Sequence, residues 1–334
     1  MVKRTIRRVA YGVLSRFCAP LKQTVWYRNQ FVDRTRTLYP DRAWHLSHDE
    51  RNFDLAVLGS SSGKWGFDFS GFQIKAFNWA QQPQYLQNDL RVIKNYHSFL
   101  RKGAKVVVNV SPLSGLYVPD NFRETVRYLH VIDSTLLNQA FLPQVRRFAA
   151  YPVLNSKFAF KQAIKEWVKK IMGLSVDLTA KRFDREDAEH NTMGEAELRR
   201  DADKWMSCWR KEFDIEDFER PLSSENGESR SRQVALMQEL VDFIRERDYE
   251  PVFVLVPVSR YLGKYFTDAF KQVQLVEFFK QIDRDVPILD YLTADEFADS
   301  DLYFNSFFLN RRGRKLFTAR VLKDLGLLAN GDGQ

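Results

Sequence analysis

A three-layer α/β/α fold, with a parallel, flavodoxin-like sheet of about five strands and a helical insertion, is the architecture this sequence predicts. Three observations carry it. Short, continuously apolar runs that end in small or polar residues recur along the chain: FDLAVL at 53–58, KVVVNV at 105–110 and PVFVLV at 251–256. Strands buried on both faces read this way. Segments with apolar residues at helical spacing lie between these runs, and such alternation implies βαβ units around a parallel sheet. Gly and Pro are scarce, at 15 and 11 of 334 residues, which argues against a turn-rich all-β fold.

Hydrophobic residues make up 44% and charged residues 28% of the chain, which is ordinary globular usage and excludes disorder or a disulfide scaffold as descriptions of the whole. Aromatic residues reach 14%, with 27 Phe, enough for a sizeable core. The net charge is +8, of which +7 falls in residues 1–51, where eleven Lys/Arg face four Asp/Glu. A nucleic-acid binder usually carries its basic face on the folded body, so no nucleic-acid partner is expected. Cys18 and Cys208 are far apart and lack metal-ligand spacing, which predicts two reduced thiols. No run approaches the ~20 apolar residues of a membrane span. Arginines interrupt every candidate signal-peptide core in MVKRTIRRVAYGVLSRF. The expected location is cytoplasmic, with peripheral membrane association as an option.

That option comes from the first element. In the basic N-terminal arm, residues 1–51, Val2, Ile6, Val9, Val13 and Phe17 recur at helical spacing with Lys3, Arg4, Arg7, Arg8 and Arg16 largely opposite. Residues 1–18 therefore form a cationic amphipathic helix, suited either to an anionic membrane surface or to packing against protein. Residues 20–51 read as a connection.

The α/β domain is expected over 52–118 and 232–328. Phe53–Leu58 is its first strand, Gln73–Trp79 the second, Lys105–Val110 the third, Pro251–Val256 the fourth and Pro287–Leu292 a short fifth. Helices are predicted at Asn88–Leu100, Arg232–Glu246 and Arg311–Leu325, the last with Leu316, Phe317, Val321 and Leu325 on its apolar face. Residues 119–231 interrupt the rhythm as a charged helical insertion, or cap, with helices at Ala163–Met172 and Glu195–Phe213. A polar, flexible return is expected at 221–231. Trp167, Trp205, Trp209, Phe213 and Phe218 of this insertion suit either a core or a platform for stacking sugar rings. Residues 329–334 read as a flexible tail.

Ligands of open parallel sheets bind at the carboxyl ends of the strands. Here those ends carry Gly59-Ser60-Ser61-Ser62-Gly63, then Asn78-Trp79-Ala80-Gln81, then Asn109-Val110-Ser111-Pro112. A serine on a tight strand-to-helix turn exposes its hydroxyl beside free backbone N–H groups. A helix cap or serine-rich turn is the plainer reading of the first cluster. Gly59-x-x-x-Gly63-Lys64 does not meet the phosphate-loop spacing. No GxGxxG, HExxH or EF-hand pattern occurs, so neither cofactor nor metal is expected.

The order of these pieces, LGSSSGKWGFD, FNWAQQ, NVSPLSG and finally YFNSFFLNRRGRKLFT, resembles the SGNH/GDSL hydrolase superfamily, in the branch whose first block reads Gly-Ser-Ser. The likeness covers roughly residues 53–116 and 232–326. It implies Ser61 as the nucleophile, with Gly59 beside it. The oxyanion pocket falls around Asn78, Ala80 and Gln81, where the family's glycine is absent, and around Asn109, Ser111 and Ser114. The family's final Asp and His fall on Asn305 and Phe308, so both members of the acid–base pair are missing, and a serine without a base is a weak nucleophile. Candidate substitute bases are His130, His190, Asp299 and Asp301, whereas His45, His48 and His97 read as surface residues.

The resemblance therefore implies a serine ester hydrolase or O-acyltransferase, acting on acylated glycans or small esters, with a weakened or lost catalytic pair. A non-catalytic protein of the same fold, binding a saccharide or protein partner, is the alternative. A peripheral membrane or assembly protein using the basic N-terminal helix is a third.

Overall fold

The computed structural model describes residues 50–129, 131–150, 157–174, 192–282 and 285–328. The predicted N-terminal helix, His45, His48, His130, His190 and the tail lie outside them. The chain divides into two compact units. Residues 50–119 and 183–334 are assigned to one, and residues 1–49 with 120–182 to the other, so the predicted insertion is shared between them.

The first unit is built on one all-parallel sheet of five strands in the order β2-β1-β3-β4-β5. The strands are β1 (Phe53–Leu58), β2 (Ala76–Asn78), β3 (Leu100–Asn109), β4 (Glu250–Leu255) and β5 (Ile288–Asp290). This is the flavodoxin-like order, whose switch point lies between β1 and β3. Its centre is dry: Leu55, Val57, Leu58, Val106, Val107, Val108 and Val254 have no solvent exposure. The polar exceptions lie toward the strands' starts, where Asp54 pairs with Arg101 and Lys105 with Glu250. Val57 pairs with Asn78 on one side and Val107 on the other, and Asn109 pairs with Val254. This register brings the loops after β1, β2 and β3 to one edge.

The connections follow from the strand order. β1 to β2 moves one way along the sheet and carries only a short turn of helix, α1 (Ser61–Lys64). The next crossovers move the other way and, being right-handed, cover the opposite face. There α2 (Leu86–Tyr96) packs beside α7 (Ser224–Arg245), which packs on α10 (Glu277–Ile282). α11 (Arg311–Asp324) returns to the first face, where Phe317 meets Phe67 and Thr318 accepts a hydrogen bond from the Asp68 N–H. Gly313 opens that helix so close to the Leu302 carbonyl that a side chain has no room.

The remaining helices are α6 (Glu195–Phe213), α8 (Arg260–Gly263) and α9 (Asp268–Lys271), which runs through a π-helical stretch, Gln272–Val276, into α10. Such a stretch spoils the regular backbone ladder. Here Arg230 Nη1 donates to the Val273 carbonyl and Nη2 to Gln274 Oε1, fastening it to α7.

Besides shifted element ends, two expectations fail. The return at 221–231 is helical from Ser224, because the Ser223 hydroxyl caps the helix and Ser229 and Arg230 are anchored by tertiary bonds. Leu316 of α11 is 48% exposed rather than buried, the inward positions being Phe317, Val321 and Leu322.

The second unit contains α3 (Phe122–Tyr128), α4 (Leu142–Ala150) and α5 (Lys157–Ile171). Asn121 caps α3 through the Glu124 N–H, and Glu124 and Arg127 form a buried ion pair at 3.3 Å. No helix among the described residues is long and apolar enough to cross a membrane.

Candidate functional site

The chain leaves β1 through Gly59, whose φ of 133° lies where side chains are disfavoured. A Cβ there would stand 2.7 Å from the Asn109 Cβ. Glycine therefore lets the two strand ends close up, and the three serines follow at once. Ser60 accepts a hydrogen bond from the Gln84 N–H at 3.2 Å. Ser62 is buried and donates to Asn109 Oδ1 at 2.6 Å, while Asn109 Nδ2 donates to the Val254 carbonyl at 3.2 Å. Ser61 opens α1, is half-buried, and makes no side-chain hydrogen bond to a described residue.

The second loop is committed to structure. Asn78 donates to the Gly63 carbonyl at 3.0 Å and accepts from the Ala80 N–H at 3.0 Å, and the Gln81 N–H donates to the Gly59 carbonyl at 3.1 Å. The two N–H groups that the resemblance offered to an oxyanion, those of Ala80 and Gln81, are thus already used. One N–H of the Asn109 amide goes to the Val254 carbonyl. In the third loop, the Ser114 hydroxyl accepts from the Ser111 N–H at 2.7 Å and lies 3.0 Å from the Ser111 hydroxyl.

The buried carboxyl of this edge was not foreseen. Asp89, in the first turns of α2, accepts from the Gly59 N–H at 2.7 Å and from Gln84 Nε2 at 2.6 Å. Burial raises its pKa to about 7, against the pull of those two donors. An aspartate early in a helix is common enough to carry no signal by itself; only the fold reveals that it grips the glycine turn.

The last block is locked from both ends. Asn305 is buried and its Oδ1 accepts from the Phe307 and Phe308 N–H groups at 2.9 and 2.7 Å. Phe308 is buried among Phe304, Phe307 and Trp205, with ring centroids 5.8, 4.8 and 5.7 Å away. Between them Ser306 donates through both its N–H and its hydroxyl to Asp201 Oδ2 of α6, at 3.0 and 2.6 Å, and Trp205 Nε1 donates to the same oxygen at 3.1 Å. Asn310 caps α11 by accepting from the Gly313 N–H at 3.0 Å.

These segments enclose a pocket of about 210 Å³ lined by Ser60, Ser61, Ser62, Asp89, Asn109, Ser111 and Ser114, and by the aromatic residues Tyr85, Trp205, Trp209, Phe213 and Phe307. Gln84, Gln233 and Glu212 complete its polar lining. Glu212 lies exposed at the end of α6, and the part of its surroundings that excludes water pushes its carboxyl upward. Phe307, not Phe308, faces the pocket. Of the aromatic residues predicted in the insertion, Phe218 is core and Trp167 is exposed on α5.

Asp299 and Asp301, proposed as substitute bases, do not join Ser61. Asp299 caps its own turn through the Asp301 N–H at 2.9 Å, and both line a separate depression with Glu195 and Arg260, an ion pair at 2.6 Å. They line that depression and not the pocket of Ser61. No cluster of three metal-ligating side chains occurs among the described residues.

A chain with this parallel sheet and a serine-lined pocket at its strand ends belongs, by fold, to the doubly wound α/β proteins. No protein-family model matches it, and no curated protein does either.

Proposed function

We propose that the chain is an SGNH-like binding protein whose pocket holds a small acylated saccharide and whose ester chemistry is weakened or lost. The observation that carries this reading is the fate of the last block. Asn305 spends its carboxamide oxygen on its own turn and Phe308 is walled into an aromatic cluster, so neither position supplies a base to Ser61. The backbone N–H groups of Ala80 and Gln81, which the resemblance offers to an oxyanion, are spent as well. What remains suits recognition: hydroxyl and carboxamide groups to meet a polar ligand, and tryptophan and phenylalanine faces that suit a sugar ring.

The test pairs a serine-directed fluorophosphonate with binding of O-acetylated monosaccharides followed by tryptophan emission. The expected result is no labelling of Ser61, saturable binding, and weaker binding in Trp205→Ala. Rapid labelling together with turnover abolished by Ser61→Ala overturns the proposal.

A second reading has one observation in its favour: Glu212 lines the same pocket, and its carboxyl is pushed toward the range useful for a general base. On that reading the chain is an ester hydrolase or O-acyltransferase in which Glu212 takes the Ser61 proton. Turnover that rises with pH as Glu212 ionises, and is lost in both Ser61→Ala and Glu212→Gln, decides for it.

A further inference from the structure

Seven of the ten large hydrophobic side chains that the described residues expose lie within residues 160–174. On α5 they form a single stripe. At about 100° per residue, Phe160, Ile164, Trp167, Val168 and Ile171 fall within an arc of about 100°, and Met172 and Leu174 continue it past the helix end. These seven are between 38% and 65% exposed. On the same projection Lys161 and Lys165 border one side of the arc and Lys170 the other, while Lys169 lies nearly opposite the stripe. Lys161, Lys165 and Lys170 are exposed and Lys169 is half-buried. The sequence of α5 holds five lysines and one acidic residue, Glu166.

We propose that α5 docks in the plane of an anionic lipid surface, with the stripe facing the acyl chains and the lysines reaching the headgroups. An aliphatic stripe with a tryptophan on it, bordered by lysines whose stems can extend outward, is the composition of an interfacial helix. Fifteen residues give a length of about 22 Å, short of the ~30 Å hydrocarbon core. The basic borders choose the occupant. They repel a second α5 from another copy, whereas anionic headgroups neutralise them. The proposal is independent of the pocket reading.

The full chain is tested by flotation with vesicles of phosphatidylcholine alone and of phosphatidylcholine mixed with phosphatidylglycerol. Brominated phosphatidylcholine in a parallel set quenches tryptophan that reaches the acyl region. We expect flotation with the anionic vesicles only, weakened by salt. Ile164→Gln with Ile171→Gln should lower the partition coefficient by about tenfold or more, with the far-UV circular dichroism unchanged. Trp167→Phe should still float while losing part of the bromine quenching, which locates α5 at the lipid even where another segment also binds. Quenching unchanged by Trp167→Phe overturns the proposal, as does absence of flotation. So does loss of a vesicle-free dimer in the double variant with vesicle binding intact, which assigns the stripe to a second copy.

Discussion

Burial holds the Asp89 carboxyl at a pKa of about 7, against 3.8 for an unburied aspartate. Between these values the folded chain keeps a proton that the unfolded chain has released, so stability is full below about pH 4, falls as the pH rises, and levels off above about 7. Each pKa unit is worth about 1.4 kcal/mol, so the loss across that window is about 4 kcal/mol. Urea denaturation of the wild type and Asp89→Asn from acid to neutral pH checks this: the variant should lack that component, and parallel profiles would falsify it. Gly59 offers a second single-residue test. Gly59→Ala combines a disfavoured φ with a clash against Asn109, for an expected loss of about 3 kcal/mol or more by thermal or urea denaturation. A change below about 1 kcal/mol would mean the strand ends can separate without penalty.

At the level of elements, α6 is held to the last block by the Asp201 carboxylate and by ring contacts of Trp205 and Trp209. Asp201→Ala leaves the fully buried Ser306 N–H and hydroxyl without their acceptor, at about 1–3 kcal/mol for each group stranded. The expected result is a lower urea midpoint with a shifted tryptophan emission as Trp205 is released. An unchanged midpoint argues that solvent replaces the carboxylate. The elements themselves were legible in the sequence to different degrees. β1 and β4 were read within a residue of their ends, because strands covered on both faces become continuous apolar runs. β3 starts five residues earlier than its apolar run, since Arg101 and Gly103 pair with Asp54 and the Asp248 carbonyl at the sheet's exposed end. The start of α7 was illegible, because Ser-Glu-Asn-Gly-Glu-Ser has poor helix propensity and is held by contacts with Tyr117, Phe213 and Val273.

Across the whole molecule, the pocket draws on the ends of β1, β2 and β3, the start of α2, and α6, α7 and the last block. The strand-end serines and Asn109 were legible because a parallel sheet gathers its loops at one edge. Asp89, Glu212 and Gln233 were not, because helices from distant parts of the sequence aim them and no local pattern marks them. The same distribution sets the outcome of rebuilding the family pair. Asn305→Asp with Phe308→His should not restore esterase turnover on activated esters, since position 308 is turned into the aromatic cluster and the Ala80 and Gln81 N–H groups remain committed. Loss of the buried ring should cost about 3 kcal/mol. A rate gain of about tenfold or more in the double variant, visible with p-nitrophenyl acetate, would show that the imidazole reaches Ser61 after all.

The walling-in of Phe308 also has a practical side. A site that leaves its ligand chemically intact does not exhaust it, so occupancy follows mass action alone and the fold's melting point becomes a gauge of what is bound. Ligand at a hundred times its dissociation constant adds about 2.7 kcal/mol to folding, which for a body of this size moves the melting temperature by roughly 5–10 °C. A panel of partially acetylated sugars read by thermal shift, with Trp205→Ala as the blank, would then rank candidate ligands without any assay for turnover.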